Sequence, residues 1–443
     1  MSTIKSQHMK KILSIFVSLL LLNGLSAQDD IIPAKEYKGL MFIKDATVHV
    51  GNGQVIENCT IEINNGKITK LGQNIAIPAD DAKVINASGK QVYPGLILSN
   101  SSLGLIEISS VRASTDLTEI GDYNTSIRSL VAYNTDSKVI NTLHSTGVLL
   151  ASIVPQGGII SGSSSVVQLD AWNWEDAAYK ADNGIHYNMP TLINMPNPFA
   201  AFFNIPQPTT DPVKKGLEEI EGTKAFLREA KAYAAITNIK ETNLKFEAIR
   251  GLFNKTQKFY IHCDVVKELL VAIDFKKEMD LDVVIVGGSE SYLVADLLKK
   301  YEIPVILGQM HSLPTLGDDA VDQPYKTPFQ LQQAGVLFAI NDEDGQHRGK
   351  NLPFNAGTAV AYGLTKEQAL SAITLNAAKI LGIADRTGSI EAGKDANIVI
   401  STGDILDMRS NNITTAIIQG RIIDLNNKHT ELYQKYMTKY GLK

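Results

Sequence analysis

The strongest constraint on the fold is a series of apolar segments that alternate with amphipathic helices in the middle of the chain. Continuous apolar strands are predicted at residues 148–154, 259–262, 283–286, 305–307 and 337–340. Helices with a 3.6-residue apolar period fill the gaps between the last four strands. Such alternation is typical of a parallel sheet covered by helices. We therefore predict an α/β fold with a (β/α)8 TIM-like barrel, which 443 residues are enough to form.

The two ends of the chain show a different pattern. Residues 41–50 and 59–63 alternate apolar and polar side chains and are followed by turns that contain Asn-Gly, the signature of β-hairpins. His49 lies within this alternation, and we interpret it as structural. Residues 414–423 repeat the pattern near the far end of the chain. Both ends are therefore predicted to form strands.

Residues 91–105 join the first β segment to the predicted barrel. They read Gln-Val-Tyr-Pro-Gly-Leu-Ile-Leu-Ser-Asn-Ser-Ser-Leu-Gly-Leu. This resembles the segment by which amidohydrolase-superfamily chains pass from a small β domain into the first barrel strand, written there as Pro-Gly-Leu/Phe-Ile-Asp-x-His-x-His. Residues 388–400 resemble the superfamily's return strand, and residues 372–382 resemble its closing helices. Within the superfamily, the resemblance points to imidazolonepropionase-like members.

The resemblance implies a division of the chain into domains. Residues 39–93 and 388–425 are expected to form one composite β-sandwich domain. Residues 94–387 are expected to form the amidohydrolase-like barrel. Residues of about 170–235, which begin with an aromatic and Pro-rich stretch of no clear period, are expected to form an insertion over the barrel mouth.

The resemblance also implies a metal site, but several of its ligands are replaced. In the superfamily such barrels hold one or two divalent metals, which lower the pKa of a bound water, while an aspartate takes the proton of that water. Asn100 and Ser102 stand where two strand-one histidines are expected, and amide or hydroxyl groups are poor ligands for zinc or iron. Glycine, at Gly287 or Gly288, stands where a strand-six histidine is expected. The expected cofactor is therefore at most one divalent metal of the zinc or iron class, or none.

Two positions retain the expected residue types. His262 ends the fifth strand and is predicted as the metal ligand, with a satisfied strand-end histidine as the alternative. Asp342 ends the eighth strand and is predicted as the catalytic residue, with Asp344 as the alternative register. The Asp-Glu-Asp-Gly run is also typical of an ordinary solvated turn.

Other polar residues are predicted to contact substrate. Asn100, Ser102 and His311 are assigned to substrate binding; His311 and His347 follow strands seven and eight, at the barrel face where sites occur. A surface loop is the alternative for either histidine. Residues 161–165, Ser-Gly-Ser-Ser-Ser, could hold an anionic group or form a plain polar loop. Cys59 and Cys263 fall in different predicted domains, and we interpret them as free, buried thiols.

Two functions fit these residues. The first, which the family resemblance implies, is an exported hydrolase that acts on non-peptide carbon–nitrogen bonds. The second is a catalytically inactive barrel that binds a small molecule, a peptide or a protein partner. Fold resemblance alone does not choose between them. The expected partner is a small-molecule substrate or ligand, and a homo-oligomer is left open.

The first 27 residues have the pattern of a cleavable secretory signal. Lys10 and Lys11 precede an apolar run from Ile12 to Leu22, and small residues lead to Ala27. Cleavage near Ala27 predicts a periplasmic or secreted protein without an integral membrane segment. The mature chain would keep 39 basic against 47 acidic residues, a net charge of −8, which does not favour nucleic acid binding.

Overall fold

The computed structural model describes residues 32–78, 82–193, 211–342 and 348–442. Residues 34–443 form one compact unit that contains two eight-stranded sheets. The predicted signal segment lies outside the described residues. Within the described part of the chain, no helix is long and apolar enough to cross a membrane.

The first sheet contains strands from both ends of the chain. Its strands are β1 (Leu40–His49), β2 (Val55–Asn64), β3 (Lys67–Gly72), β4 (Lys83–Asn86), β5 (Gln91–Pro94), β14 (Ile398–Ser401), β15 (Ile413–Ile418) and β16 (Arg421–Ile422). The spatial order is β16-β15-β14-β5-β1-β2-β3, and β4 pairs with β1. Strand β14 lies antiparallel to β5, with Val399 opposite Tyr93. The predicted joining of the two chain ends is confirmed.

The second sheet forms the barrel. Its strands are β6 (Leu96–Ser101), β7 (Val148–Ile153), β8 (Ile160–Gln168), β9 (Ala178–Asn188), β10 (Lys258–Cys263), β11 (Val283–Gly287), β12 (Val305–Leu307) and β13 (Phe338–Ile340). They follow one another in chain order around the sheet, from β6 to β13. All neighbours are parallel except the pairs that β8 makes with β7 and β9, which are antiparallel. The predicted α/β fold with a near-closed barrel and a separate sheet is confirmed.

The α-helices pack mainly around the barrel. They are α1 (Ser129–Ala132), α2 (Lys138–His144), α3 (Trp174–Ala177), α4 (Pro212–Ala234), α5 (Leu244–Ala248), α6 (Arg250–Phe253), α7 (Val266–Met279), α8 (Ala295–Lys300), α9 (Gln323–Ala334), α10 (Leu352–Ala361), α11 (Lys366–Ala372), α12 (Leu375–Leu381) and α13 (Lys428–Tyr440). Helix α4 begins at Pro212 because the Asp211 side chain accepts a hydrogen bond from the amide of Val213 and proline suits the first turn.

The middle of the barrel differs most from the sequence expectations. The Ser161–Ser165 stretch, considered as a polar loop or an anion-binding segment, lies inside strand β8, and its serines are buried. The Ser164 hydroxyl donates to the Asn183 side chain of β9 at 3.2 Å, so it is used within the barrel wall. The predicted insertion, about 170–235, contains β9 and α4, while residues 194–210 lie outside the described residues. Cys59 and Cys263 are free and buried, as predicted.

A buried carboxylate ties the sheet to the barrel. Asp395 precedes β14, and its two oxygens accept hydrogen bonds from Lys67 of β3 at 2.7 Å and from the Tyr179 hydroxyl of β9 at 2.6 Å. Arg386 adds a bond at 3.1 Å, and its guanidinium lies 3.9 Å from the Tyr179 ring centre. Burial alone would raise the pKa of Asp395, but the bonds from Lys67 and Tyr179 hold it below its ordinary value. The ionised carboxylate therefore joins three parts of the chain.

Replacing Asp395 with alanine is expected to lower the free energy of unfolding by about 2–3 kcal/mol, because charged and hydroxyl donors lose their acceptor. Because the pKa of Asp395 is depressed in the folded state, its contribution is present at neutral pH and is lost as the pH falls through the folded pKa. Urea unfolding between pH 3 and pH 7 would measure this. The exposed Asp136→Ala variant, just before helix α2, is the control and is expected to change stability by less than about 0.5 kcal/mol. Equal effects of the two substitutions at pH 7 would contradict the role of Asp395.

Candidate active site at the barrel mouth

The carboxyl ends of β6, β7, β9 and β10 surround a cavity of about 280 Å³. It is lined by Asn100, Ser101, Ser102, Val154, Pro155, Gln156, Gly157, Asn188 and His262. Parallel barrel strands place their carboxyl ends on one face, where loops form the site. The structure therefore brings together three of the residues that the sequence selected: Asn100, Ser102 and His262. Their predicted roles in binding substrate and metal stay predictions.

Strand β6 is held in place by an amide that the sequence analysis did not select. Asn341, directly after β13, is fully buried. Its side-chain oxygen accepts from the backbone amides of Ser99 and Asn100 at 2.9 and 3.2 Å, and its side-chain nitrogen donates to the Asn100 carbonyl at 2.8 Å. These bonds bridge the first and last strands of the barrel sheet. They fix the backbone from which Asn100 reaches the cavity.

The side chain of Asn100 offers a free acceptor at this position. Its Oδ1 atom is buried and has no hydrogen-bond partner among the described residues. A buried carbonyl oxygen without a partner costs about 1–3 kcal/mol relative to a bonded one. A ligand in the cavity with an N–H or O–H group would remove this cost once a turn of the buried amide presents the oxygen to it.

His262 is paired with a second histidine that the sequence analysis missed. The Nε2 atom of His262 lies 2.9 Å from the Nδ1 atom of His186 on strand β9. The His186 ring stacks on Tyr260 with ring centres 4.6 Å apart and an angle of 4°. Gly184 makes this stacking possible, since a Cβ atom there would lie 2.1 Å from the Tyr260 ring. The only sequence signal for His186 is its place in the short Gly-Ile-His-Tyr-Asn stretch that ends β9.

Both histidines are neutral at neutral pH. Burial lowers the pKa of His262 to about 4. Burial and the neighbouring His262 lower the pKa of His186 well below its ordinary value. One ring nitrogen of the pair donates and the other accepts, so the two rings fix each other's orientation. The Nε2 atom of His186 is buried without a hydrogen-bond partner in the described part of the chain.

Asp342 is buried at the end of the eighth strand, but it does not line the cavity. Its Oδ2 atom accepts a hydrogen bond from the Asn355 side chain at 3.1 Å. Asn355 in turn accepts from the backbone amides of Met310 and His311 at 2.8 and 3.2 Å. Asn355 is thus a second buried amide that the sequence analysis did not select. The alternative residue Asp344 lies outside the described residues.

The remaining candidate histidines do not join the described cavity. His311 is exposed, and its Nε2 atom lies 2.6 Å from the Thr358 hydroxyl. Its predicted role in substrate binding finds no support in the lining of the cavity, and it stays a prediction. His347 lies outside the described residues.

Glycine at the end of strand six has a structural cause. Gly287 has a φ of +97°, a conformation that other residues rarely adopt. A Cβ atom at this position would lie 2.8 Å from the Asp264 carboxylate. A histidine in place of Gly287 would therefore require a change in the backbone as well as in the side chain.

The described donor set does not fit the metal centre that the superfamily implies. Within residues 32–78, 82–193, 211–342 and 348–442, no group of three or more His, Cys, Asp or Glu side chains could hold a metal ion. The Nε2 atom of His262 is already bonded to His186. The strand-one positions offer an amide and a hydroxyl, which are poor ligands for zinc or iron. The described residues therefore support no chemical step through a metal.

The geometry defines a class of protein: a barrel with a polar cavity at the carboxyl ends of its strands, joined to a sheet from both chain ends. A solved structure of similar form is an amidohydrolase from Thermotoga maritima, with a TM-score of 0.70 and 26% sequence identity over 87% of this chain and 99% of that chain. The model of the amidohydrolase family matches residues 331–423. These comparisons agree with the architecture described above.

Two sequence relatives narrow the class. The imidazolonepropionase of Mesorhizobium japonicum is 23% identical over 368 residues, which cover 78% of this chain and 87% of that protein. The amidohydrolase tasK of Hapsidospora irregularis is 22% identical over 406 residues, which cover 82% of this chain but only 39% of that protein. The protein is a member of the amidohydrolase superfamily and is distantly related to imidazolonepropionases. The chain spans less than half of the length of tasK, so the activity of that protein is not transferred to this chain.

Replacing Asn341 with alanine is expected to lower the free energy of unfolding by about 1–3 kcal/mol, because buried backbone groups of Ser99 and Asn100 lose their partners. Hydrogen exchange should show faster exchange at these two amides than in the wild-type protein. The exposed Asn426→Ala variant is the control. Unchanged exchange at Ser99 and Asn100 in the Asn341 variant would show that another contact holds the strand.

Metal content is expected to be at most one zinc- or iron-class ion per chain, because two ions about 3.5–4 Å apart need four or more good ligands. Elemental analysis of purified protein, before and after dialysis against a chelator, would measure the stoichiometry. His262→Ala is expected to remove any tightly held ion, with His429→Ala on helix α13 as the control. Two tightly bound ions per chain would contradict this prediction.

Proposed function

We propose that the protein is a hydrolase that binds a small polar molecule in the mouth cavity and cleaves a non-peptide carbon–nitrogen bond. Membership of the amidohydrolase superfamily supports the reaction class. The observation that carries the proposal is the cavity in which Asn100, Ser102 and His262 converge at the carboxyl ends of the barrel strands. This is the face on which barrel enzymes carry their sites.

The cavity supports a ligand with an N–H donor. The Oδ1 atom of Asn100, which has no partner among the described residues, would accept that hydrogen bond. The bond would remove the free-energy cost of a buried acceptor without a partner. The Ser102 hydroxyl can donate to a carbonyl oxygen of the same ligand. His262 contributes a neutral imidazole rather than a cation, since burial lowers its pKa to about 4. Small amides, ureas and lactams combine these donor and acceptor groups.

The proposed reaction adds water across the carbon–nitrogen bond. The water oxygen bonds to the carbonyl carbon, the carbon–nitrogen bond breaks, and the leaving nitrogen gains a proton. We assign Asp342 as the group that takes the proton of the attacking water and returns it to the leaving nitrogen; because its carboxylate does not line the cavity, it would act through a bridging water. The bond from Asn355 to Asp342 supports this role, because it fixes the orientation of the carboxylate. His262, oriented by His186, would position the substrate.

A second candidate function is ligand binding without hydrolysis. It is favoured by the bond between His262 and His186, which occupies the ring nitrogen that would otherwise face a metal or a reacting group. The amide and hydroxyl of Asn100 and Ser102 also suit binding better than metal-assisted catalysis. The two functions share one cavity and differ only in turnover.

One experiment separates these functions. A panel of small amides, ureas and lactams is titrated by calorimetry, and release of ammonia or amine is followed in the same samples. Asn100→Leu is expected to weaken binding at least about tenfold, since one buried hydrogen bond is worth about 1.4 kcal/mol or more. Asp342→Asn is expected to stop release while binding remains. Asn52→Leu in an exposed turn is the matched control.

Three results are informative. Binding with release that depends on Asp342 supports the hydrolase. Binding without release supports the second candidate. Binding that Asn100→Leu leaves unchanged contradicts both, because both place the ligand in the mouth cavity.

We also propose that the protein is exported. The support is the sequence pattern of Lys10, Lys11 and the apolar run from Ile12 to Leu22. Mass spectrometry of protein recovered from the periplasm or medium is expected to give an N-terminus at Gln28. Leu19→Arg, which places a charge in the apolar run, is expected to prevent this processing. Full-length protein found only in the cytosol would contradict export.

A further inference from the structure

A second charged cluster joins the sheet to the helices of the barrel. His49, the last residue of β1, lies with its Nδ1 atom 2.6 Å from the carboxylate of Glu367 on helix α11. Its Nε2 atom lies 2.9 Å from the side-chain oxygen of Gln91 on β5. The ring stacks on Tyr93 with centres 4.5 Å apart and an angle of 12°. These contacts fix the ring between two parts of the fold.

The hydrogen-bond pattern matches a protonated ring. Both nitrogens of His49 face oxygen acceptors, and only the imidazolium has two N–H donors. A neutral ring satisfies one of the two contacts and leaves a lone pair facing the other oxygen, unless the Gln91 amide turns over. Burial would lower the pKa of His49, but its bonds to Glu367 and Gln91 outweigh burial and raise that pKa above its ordinary value.

The other charged groups near this ring form their own pair. Asp404, which follows β14, also acts on His49 electrostatically and favours its protonation. The Lys366 ammonium lies 2.6 Å from Asp404 and partly neutralises it. Glu367 is therefore the main charge partner of His49.

Helix α11 connects this cluster to the first strand of the barrel. The Ser371 hydroxyl on this helix donates to the Gly51 carbonyl of the sheet at 2.6 Å. Directly after the helix, the Ile373 carbonyl accepts from the amide of Ile97 in β6 at 3.0 Å. Strand β6 carries Asn100 to the mouth cavity. The position of α11 is thus linked both to the sheet and to the strand that forms part of the site.

We propose that the cluster of His49, Glu367, Gln91 and Tyr93 is a pH-sensitive clamp between the sheet and the barrel. Protonated His49 ties β1 to α11 through its bond to Glu367. Loss of the Nε2 proton leaves a lone pair facing Gln91 and removes the ion pair, so the tie weakens. A cavity of about 260 Å³ beside the ring, lined in part by Glu367 and Asp404, gives water a route for proton exchange.

The direction of the pH effect follows from the protonated form. A histidine with a raised folded pKa stabilises the fold fully below its unfolded pKa of about 6.5, and this contribution is lost as the pH rises through the folded pKa. The clamp therefore holds in mildly acidic conditions and weakens in alkaline ones. This effect does not depend on the proposed hydrolase activity.

The first test compares thermal unfolding of the wild-type protein and His49→Gln from pH 5.5 to pH 9. The wild type is expected to be more stable by about 2 °C in Tm at pH 5.5, and this advantage should shrink as the pH rises. His429→Gln on the exposed helix α13 is the control and should follow the wild type throughout. A wild-type advantage that does not change with pH would overturn the clamp.

The second test measures the ring directly and needs no stable His49 variant. Nuclear magnetic resonance titration of histidine-labelled protein gives the pKa of each histidine. Glu367→Gln keeps the side-chain size and removes the charge, so it should lower the pKa of one histidine, His49, and leave the exposed His429 unchanged. The clamp is contradicted if no wild-type histidine titrates above about 6.5 in a way that depends on Glu367.

Discussion

The barrel depends on one buried amide at the place where its sheet begins and ends. Asn341 makes three hydrogen bonds to the backbone of Ser99 and Asn100, so the last strand holds the first. An aliphatic side chain at this position would leave three buried polar groups without partners. The same bonds hold the backbone of Asn100, whose side chain lines the mouth cavity. Closure of the barrel and formation of the candidate site therefore share one physical cause.

The parts of the fold that follow simple periodicity could be predicted from the sequence. Strands β10, β11 and β12 appear within one residue of their predicted bounds, because each is a short apolar run between amphipathic helices. Strands β8 and β9 could not be predicted in this way. Serines fill β8, and Asp182 and Asn183 interrupt β9, so neither segment shows an apolar period. Inside the barrel wall, the hydroxyl and amide groups of β8 and β9 form hydrogen bonds with each other. These bonds depend on which strands are neighbours, and the sequence of one segment alone does not specify that.

The candidate site, like the fold, could be predicted from the sequence only in part. Asn100, Ser102 and His262 line one cavity. Their shared location could be predicted, because the strand order and the family resemblance both place them at the carboxyl ends of the barrel strands. Their partners could not be predicted. His186 reaches His262 from another strand, and Asn355 reaches Asp342 from a helix thirteen positions later. Such contacts depend on the packing of distant segments, which a single sequence does not specify.

The cavity at the ends of β6, β7, β9 and β10 is the proposed ligand site. The most direct measurement is a crystallographic fragment soak with small amides, ureas and lactams at millimolar concentration. Electron density for a bound fragment is predicted in this cavity, with an N–H group of the fragment within hydrogen-bond distance of the Asn100 side-chain oxygen. Density found only in other cavities, such as the one beside Asp264 and Thr315, would contradict the account.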